Sequence, residues 1–180
     1  KEITSSADFV QESYDAAVEA LWIGALLAIG VVWLFLRDIR ATLVSATALP
    51  LSLIPTFAVL YLLDISLNGI TLLALSLVVG LLVDDAIVEI DNIVRHMRQS
   101  GKRAYHAAIE AADEIGLAVV ATTATIVAVF LPVAFMAGIP GQFFKDFAIA
   151  TCVSVVFSLI VARMLTPLMG AYLVKAPRDA

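Results

Sequence analysis

The sequence is short of charge and short of the residues that build most chemical sites. Charged side chains make up 15% of its 180 residues, against about 25% in an ordinary soluble domain. The single cysteine, Cys152, lies in an apolar stretch without a partner, which excludes a disulfide and a zinc cluster. The two histidines, His96 and His106, stand in a basic segment with no ligand-spaced neighbours, so they read as solvated surface and no metal is expected. There is no nucleophile–base constellation and no cofactor loop, which makes an enzyme the weakest reading, and nucleic acid is not expected as a partner. Low-complexity tracts, internal repeats and a recognisable soluble domain are missing as well. So is a signal peptide: Lys1 to Glu19 is polar and reads like the middle of a larger protein.

What is present is apolar. Hydrophobic residues make up 62% and the mean hydropathy is +1.00. One water-facing surface cannot absorb that excess over the usual 45–50% or so, so a bilayer must be the solvent for most of it. The formal charge of −5 decides little, because topology follows the placement of Lys and Arg.

A helix needs roughly 20 apolar residues to cross the hydrocarbon core. Five stretches qualify, at about 16–36, 41–63, 68–97, 115–136 and 147–174, which predicts an all-α polytopic transmembrane bundle forming one transmembrane region. Between them lie Arg37 to Arg40, Asp64 to Asn68, Gln99 to Asp113, and Ala137 to Asp146. Arg37, Arg40, Arg95, Arg98, Lys102, Arg103, Lys175 and Arg178 fall on one side if the spans alternate, while Lys1 and Lys145 fall on the other. The positive-inside rule then sets the N-terminus outside and the C-terminus in the cytoplasm. Pro50, Pro55, Pro132 and Pro167 are expected to kink their helices, and Gly24, Gly30, Gly80 and Gly116 could admit close helix contacts.

The informative segment is Val78 to Asn92, where Asp84 and Asp85 follow a long apolar run. Two ionised aspartates at mid-bilayer cost roughly 6 kcal/mol on insertion scales. The ten Leu, Ile and Val residues between Gly69 and Val83 return only about 5 kcal/mol. This helix must therefore face other helices or a hydrated cavity. At about 100° per residue, Asp84, Asp91 and Arg95 share a stripe in which Asp91 and Arg95 can pair. Asp85, Glu89 and Asn92 lie on the adjoining face, and together the two stripes predict one inward polar wedge. Desolvation and a neighbouring carboxylate both favour the protonated form of an acid, which suits the Asp84–Asp85 pair to take up and release a proton near neutral pH. For Glu89, Asp91 and Arg95 an interfacial helix exit is an equal reading. Thr122, Thr123 and Thr125 either line a proton path or bond back to their own helix. Arg163 is the one basic residue within a span, and its head is free to reach the interface.

Gly80-Leu81-Leu82-Val83-Asp84-Asp85-Ala86-Ile87-Val88, with its Gly-x-x-x-Asp spacing, closely resembles the fourth transmembrane helix of resistance-nodulation-division (RND) pumps that export hydrophobic and amphiphilic compounds. Leu34 to Leu43 is similar to the family's turn between helices 2 and 3, Leu49 to Phe57 to its third helix, and Leu165-Thr166-Pro167 to the end of its sixth. The resemblance covers the whole chain, as helices 2 to 6 of a pump built from twelve. It implies a multidrug/proton antiporter of the bacterial inner membrane, with Asp84 and Asp85 as proton relay, Gly80 as motif glycine, and Glu89, Asp91 and Thr123 as relay neighbours. The proton is then the coupling ion and no other cofactor is implied. In the family the aspartates pair with a lysine in the second half, and protonation drives rotation of periplasmic domains. The complete pump is a homotrimer working with a periplasmic adaptor and an outer-membrane channel. Two adjacent acids favour the drug branch over the metal-exporting branch. Glu89 stands where an apolar residue is usual, and Asp91 where glutamate is usual. With the first helix, porter domain and second half absent, these 180 residues are not expected to pump alone. Three other readings stay open: a Patched-like or protein-export relative that binds lipid or sterol, a passive proton channel, and a non-functional fragment.

Overall fold

The computed structural model describes residues 6–101 and 103–174. Lys1, Lys102, Lys175 and Arg178 of the orientation argument lie outside them. The described chain is helical throughout: α1 (Ser6–Leu36), α2 (Ile39–Leu62), α3 (Gly69–Ser100), α4 (Ala104–Ala134), α5 (Gly138–Ile160), a π-turn (Val161–Leu165) and α6 (Thr166–Leu173). With α5, the π-turn and α6 continuous, five helical segments among the described residues are long and apolar enough to cross a membrane. The all-α, multi-pass bundle is the architecture that the apolar runs predict.

Three helices run past their apolar runs. α1, α4 and α5 begin at Ser6, Ala104 and Gly138, not near 16, 115 and 147. Apolar length finds only the part of a helix that needs lipid, whereas backbone hydrogen bonding continues wherever no breaker intervenes. The turns are set by local chemistry. Asp38 caps α2, its carboxylate accepting from the Arg40 amide at 2.7 Å, after Arg37 turns the chain at φ 50°. Asn68 and Thr71 form a reciprocal capping box at the start of α3, and Gly101 ends that helix in the left-handed region at φ 62°. Between α4 and α5 the carbonyl of Met136 approaches Gly141 so closely that an added Cβ would lie 1.9 Å from its oxygen.

Pro167 shapes the last span by widening it. Proline cannot donate to the carbonyl four residues back, here that of Arg163, and its ring crowds that carbonyl. The helix accommodates this with a π-turn, in which the amide of Thr166 bonds to Val161 five residues earlier.

α3 is the central helix, and α1, α2, α4 and α5 all pack against it. At one end Ala41, Val44, Ile90, Ile93, Met97, Ala107 and Ala111 join the start of α2, the end of α3 and the start of α4. The arginine-bearing turns at Arg37–Arg40 and at Arg95–Arg103 therefore share this rim. Val32, Leu49, Val78, Leu82 and Val155 fill the middle, and Leu60, Ala74 and Ala150 the far end. Alanines recur where helices touch because lipid supplies no hydrophobic drive between helices and close approach must hold them. Of the four glycines expected at contacts, Gly116 makes one and Gly24, Gly30 and Gly80 have no atom within 4 Å of an added Cβ. Gly170 was not among them, yet an added Cβ there would meet Ile93 Cδ1 at 2.9 Å. Buried hydroxyls mostly bond to their own helix, as Ser154 does to the Ala150 carbonyl at 2.7 Å and Thr56 to that of Ser52 at 2.8 Å.

Candidate functional site

The two neighbouring aspartates of α3 fall in different environments, because one residue turns a helix by about 100°. Asp85 is half-buried and faces α5, where the Ser158 hydroxyl donates to its Oδ2 at 2.6 Å. That length lies within the ordinary range for an O–H···O hydrogen bond. Asp84 is exposed on the flank of the bundle. Both line a cavity of about 150 Å³ between α3 and α4, together with Thr122 and apolar groups from Leu81, Val88 and Ile126. The cavity has room for water beside the carboxyls.

The wedge expected to point inward is thus divided. Asp85, Glu89 and Asn92 face the bundle interior, whereas Asp84, Asp91 and Arg95 are exposed. The exposed residues continue a stripe along α3 through Leu73, Leu77, Gly80 and Val88 at spacings of three and four. Gly80 lies one turn before Asp84 on that stripe, with nothing packed against it.

Thr123 is buried, and its hydroxyl donates to the Val119 carbonyl at 3.0 Å. Thr122 and Thr125 also bond back, to Val119 and Ala121, and of the three it is Thr122 that lines the cavity.

Asp91 does not pair with Arg95. The guanidinium turns the other way, to Asn92 Oδ1 at 2.6 Å and to Glu114 on α4 at 2.9 Å. Asn92 also donates to the Ala111 carbonyl at 3.1 Å and to Glu114 at 3.2 Å. His96, expected to be solvated, contacts Glu114 at 2.7 Å through Nε2 and lies 3.7 Å from Glu110 through Nδ1. The resulting clamp fastens α3 to α4 at the arginine-bearing rim. A carboxylate on a second helix within reach outcompetes an acid one turn away, because it lets Arg95, Asn92 and His96 share one acceptor. Sequence reasoning missed Glu114 and Ser158. Each lies on a helix whose rotation about α3 is fixed by packing, and neither stands in a motif.

Glu89 is wholly buried, and neither carboxyl oxygen has a hydrogen-bond partner. Arg163 turns towards the arginine-bearing rim, beside Ala111 of the cluster there. It rises from the π-turn to the Ala112 carbonyl at 2.5 Å and lies against Gly116. Among the described residues no group of three or more His, Cys, Asp or Glu could hold a metal ion.

Comparison with known proteins points to the same family as the sequence resemblance. The profile of the AcrB/AcrD/AcrF family matches residues 2–180. The chain is 42% identical to multidrug resistance protein MdtC of Escherichia coli O139:H28 over 172 residues, which covers 94% of this chain and 17% of that protein. It is equally similar to MdtC of Salmonella arizonae and of Salmonella paratyphi C, over 169 residues, 94% of this chain and 16% of each relative. The chain therefore spans about one-sixth of the length of these relatives. With a profile match along nearly its whole length, the chain belongs to the AcrB/AcrD/AcrF family of resistance-nodulation-division proteins.

Proposed function

We propose that this chain is the proton-coupling transmembrane portion of an RND multidrug/proton antiporter that exports hydrophobic or amphiphilic compounds. The observation that carries the reading is the pair Asp84–Asp85 at the middle of the central helix, one acid held by Ser158 inside the bundle and the other open at a cavity. Such a pair bridges two environments: Asp85 is held by the bundle itself, and Asp84 is within reach of a group arriving from outside it. The exposed stripe around Gly80 and Asp84 is where a second half of the pump, with the lysine that the family resemblance implies, would pack. Thr122 is better placed than Thr123 to pass a proton to the pair. Asp91 is exposed, suited to the same outer contact.

The rim that gathers Arg37, Arg40, Arg95, Arg98 and Arg103 is the cytoplasmic one in this reading, so the N-terminus of α1 faces the periplasm and the membrane is the bacterial inner membrane. The complete pump acts as a homotrimer with a periplasmic adaptor and an outer-membrane channel. The test is drug susceptibility of cells carrying the complete parent pump with Asp84→Asn or Asp85→Asn, at matched protein level. Loss of resistance in both variants supports the reading, and retained resistance in both overturns it.

A further inference from the structure

Glu89 lies one turn beyond Asp85, about 6 Å along the helix axis, on the same inward face of α3. It is 0% exposed and its two oxygens accept nothing. An ionised carboxylate in such a place costs far more than a neutral acid. Its surroundings hold few charges. α2 carries none between Ala41 and Leu62, its titratable group being Tyr61 at the far end. α5 offers Cys152 beyond Lys145 and Asp146, and α6 offers Tyr172. The acids of α1 that precede Leu21 (Glu12, Asp15 and Glu19) and Tyr14 belong to its opposite half. On α4, Tyr105, His106, Glu110, Asp113 and Glu114 belong to the rim, and α3 itself carries Asp84, Asp85, Asp91, Arg95, His96 and Arg98. The cation on the side of α3 that meets the π-turn is Arg163, since Val161 of that turn packs against Ala86, about one turn before Glu89.

The two stand on elements that pack together and do not bond. No salt bridge joins them among the described residues. A guanidinium has five donors, and Arg163 spends Nη1 on the Ala112 carbonyl. Its head occupies the space above Gly116, where an added Cβ would come within 2.6–2.8 Å of it. A buried acid without a donor thus lies on a helix packed against a cation-bearing segment, and that segment is the one stretch wound as a π-turn among the described residues.

We propose that Glu89 is a proton-binding site in its own right, with Arg163 as a counter-ion that holds Ala112 when Glu89 is protonated and turns to the Glu89 carboxylate when it is not. On deprotonation the O–H bond of the acid breaks, the proton passes to water, and the carboxylate accepts the guanidinium in place of the Ala112 carbonyl. Charge balances locally, because a neutral acid beside a cation becomes an ion pair. The wider π-turn gives Arg163 the room to change partners without breaking a regular helix. This site lies closer to the rim than Asp84 and Asp85, and it stands whether or not that pair drives export.

Infrared titration of the full chain in lipid bilayers tests this, read at the carbonyl-stretch band of protonated carboxyls. The parent is expected to show a band that E89Q removes and that D84N/D85N leaves. R163Q, which takes away the cation, is expected to move its disappearance up by about 1–3 pH units, and R163K to restore the parent midpoint. A spectrum that E89Q leaves unchanged at every pH overturns the proposal. So does a midpoint common to the parent and R163Q. If R163Q does not fold, R163K decides the second arm through its amide spectrum. A proton-dependent change in the band of the Ala112 carbonyl, isotopically labelled, is expected in the parent and altered in R163K, and its absence from the parent overturns the exchange of partners.

Discussion

Glu114 and Glu89 are the same residue type placed on facing helices, and they meet opposite fates. Glu114, at the rim, accepts from Asn92, Arg95 and His96. Glu89, deeper in the bundle, accepts from none. Where water is close, a carboxylate is cheap to ionise and can serve as a fastener. Inside the bundle ionisation is costly, and an acid left without donors is free to change its charge. The Asp85–Ser158 contact lies between these extremes, with one donor. The number of donors supplied to each acid along α3 and α4 therefore separates parts that hold the helices together from parts that respond to protons.

Functional variants should break that division most clearly. In the complete pump Asp85→Asn is expected to abolish drug resistance, while Glu114→Gln leaves it intact at equal expression. A susceptibility assay that shows both lost would erase the distinction. Ser158→Ala should come next. Removing one such hydrogen bond costs about 0.5–1.5 kcal/mol and loosens the hold on Asp85, so a partial fall in transport is expected, read as dye-efflux rate in cells. Asn92→Ala belongs to the fastening side: it removes two helix–helix hydrogen bonds, to Ala111 and Glu114, each worth about 0.6–1.7 kcal/mol in a membrane and together about 1–3 kcal/mol. It should lower thermal stability in detergent by that amount and leave the proton step unchanged. The smallest effect is expected for Gly116→Ala. The new methyl displaces only the end of the Arg163 side chain, and the helix gains about 0.5–1 kcal/mol from losing glycine, so unfolding should stay within about 1 kcal/mol of the parent.

Much of the architecture was legible because lipid imposes a simple rule. Five apolar runs announce five spans, and the Arg37–Arg40 and Arg95–Arg103 clusters mark a common end. The aspartates stood out because nothing in a lipid-facing helix explains two acids after Leu81-Leu82-Val83. What stayed hidden is what depends on helix rotation. A helical wheel puts Asp91 beside Arg95, but it cannot show that Glu114 of α4 will arrive closer. The wheel also placed Asp84 in one inward wedge with Asp85, although packing of α5 against α3 turns only Asp85 inward. Arg163 heads for the rim as an interfacial residue would, but its partner there, the Ala112 carbonyl, depends on a π-turn. The signal for that turn was available in Pro167, four residues on.

The π-turn has a consequence for how the last span tolerates change in length. A turn that closes five residues back holds one more residue than a regular helix requires. Deleting one residue between Val161 and Leu165 would take out that surplus and leave the residues after it near their present register, with Gly170 still against Ile90 and Ile93. Deleting one from the regular helix on either side would instead rotate all that follows by about 100°. The last span therefore tolerates a change of length at the π-turn better than elsewhere.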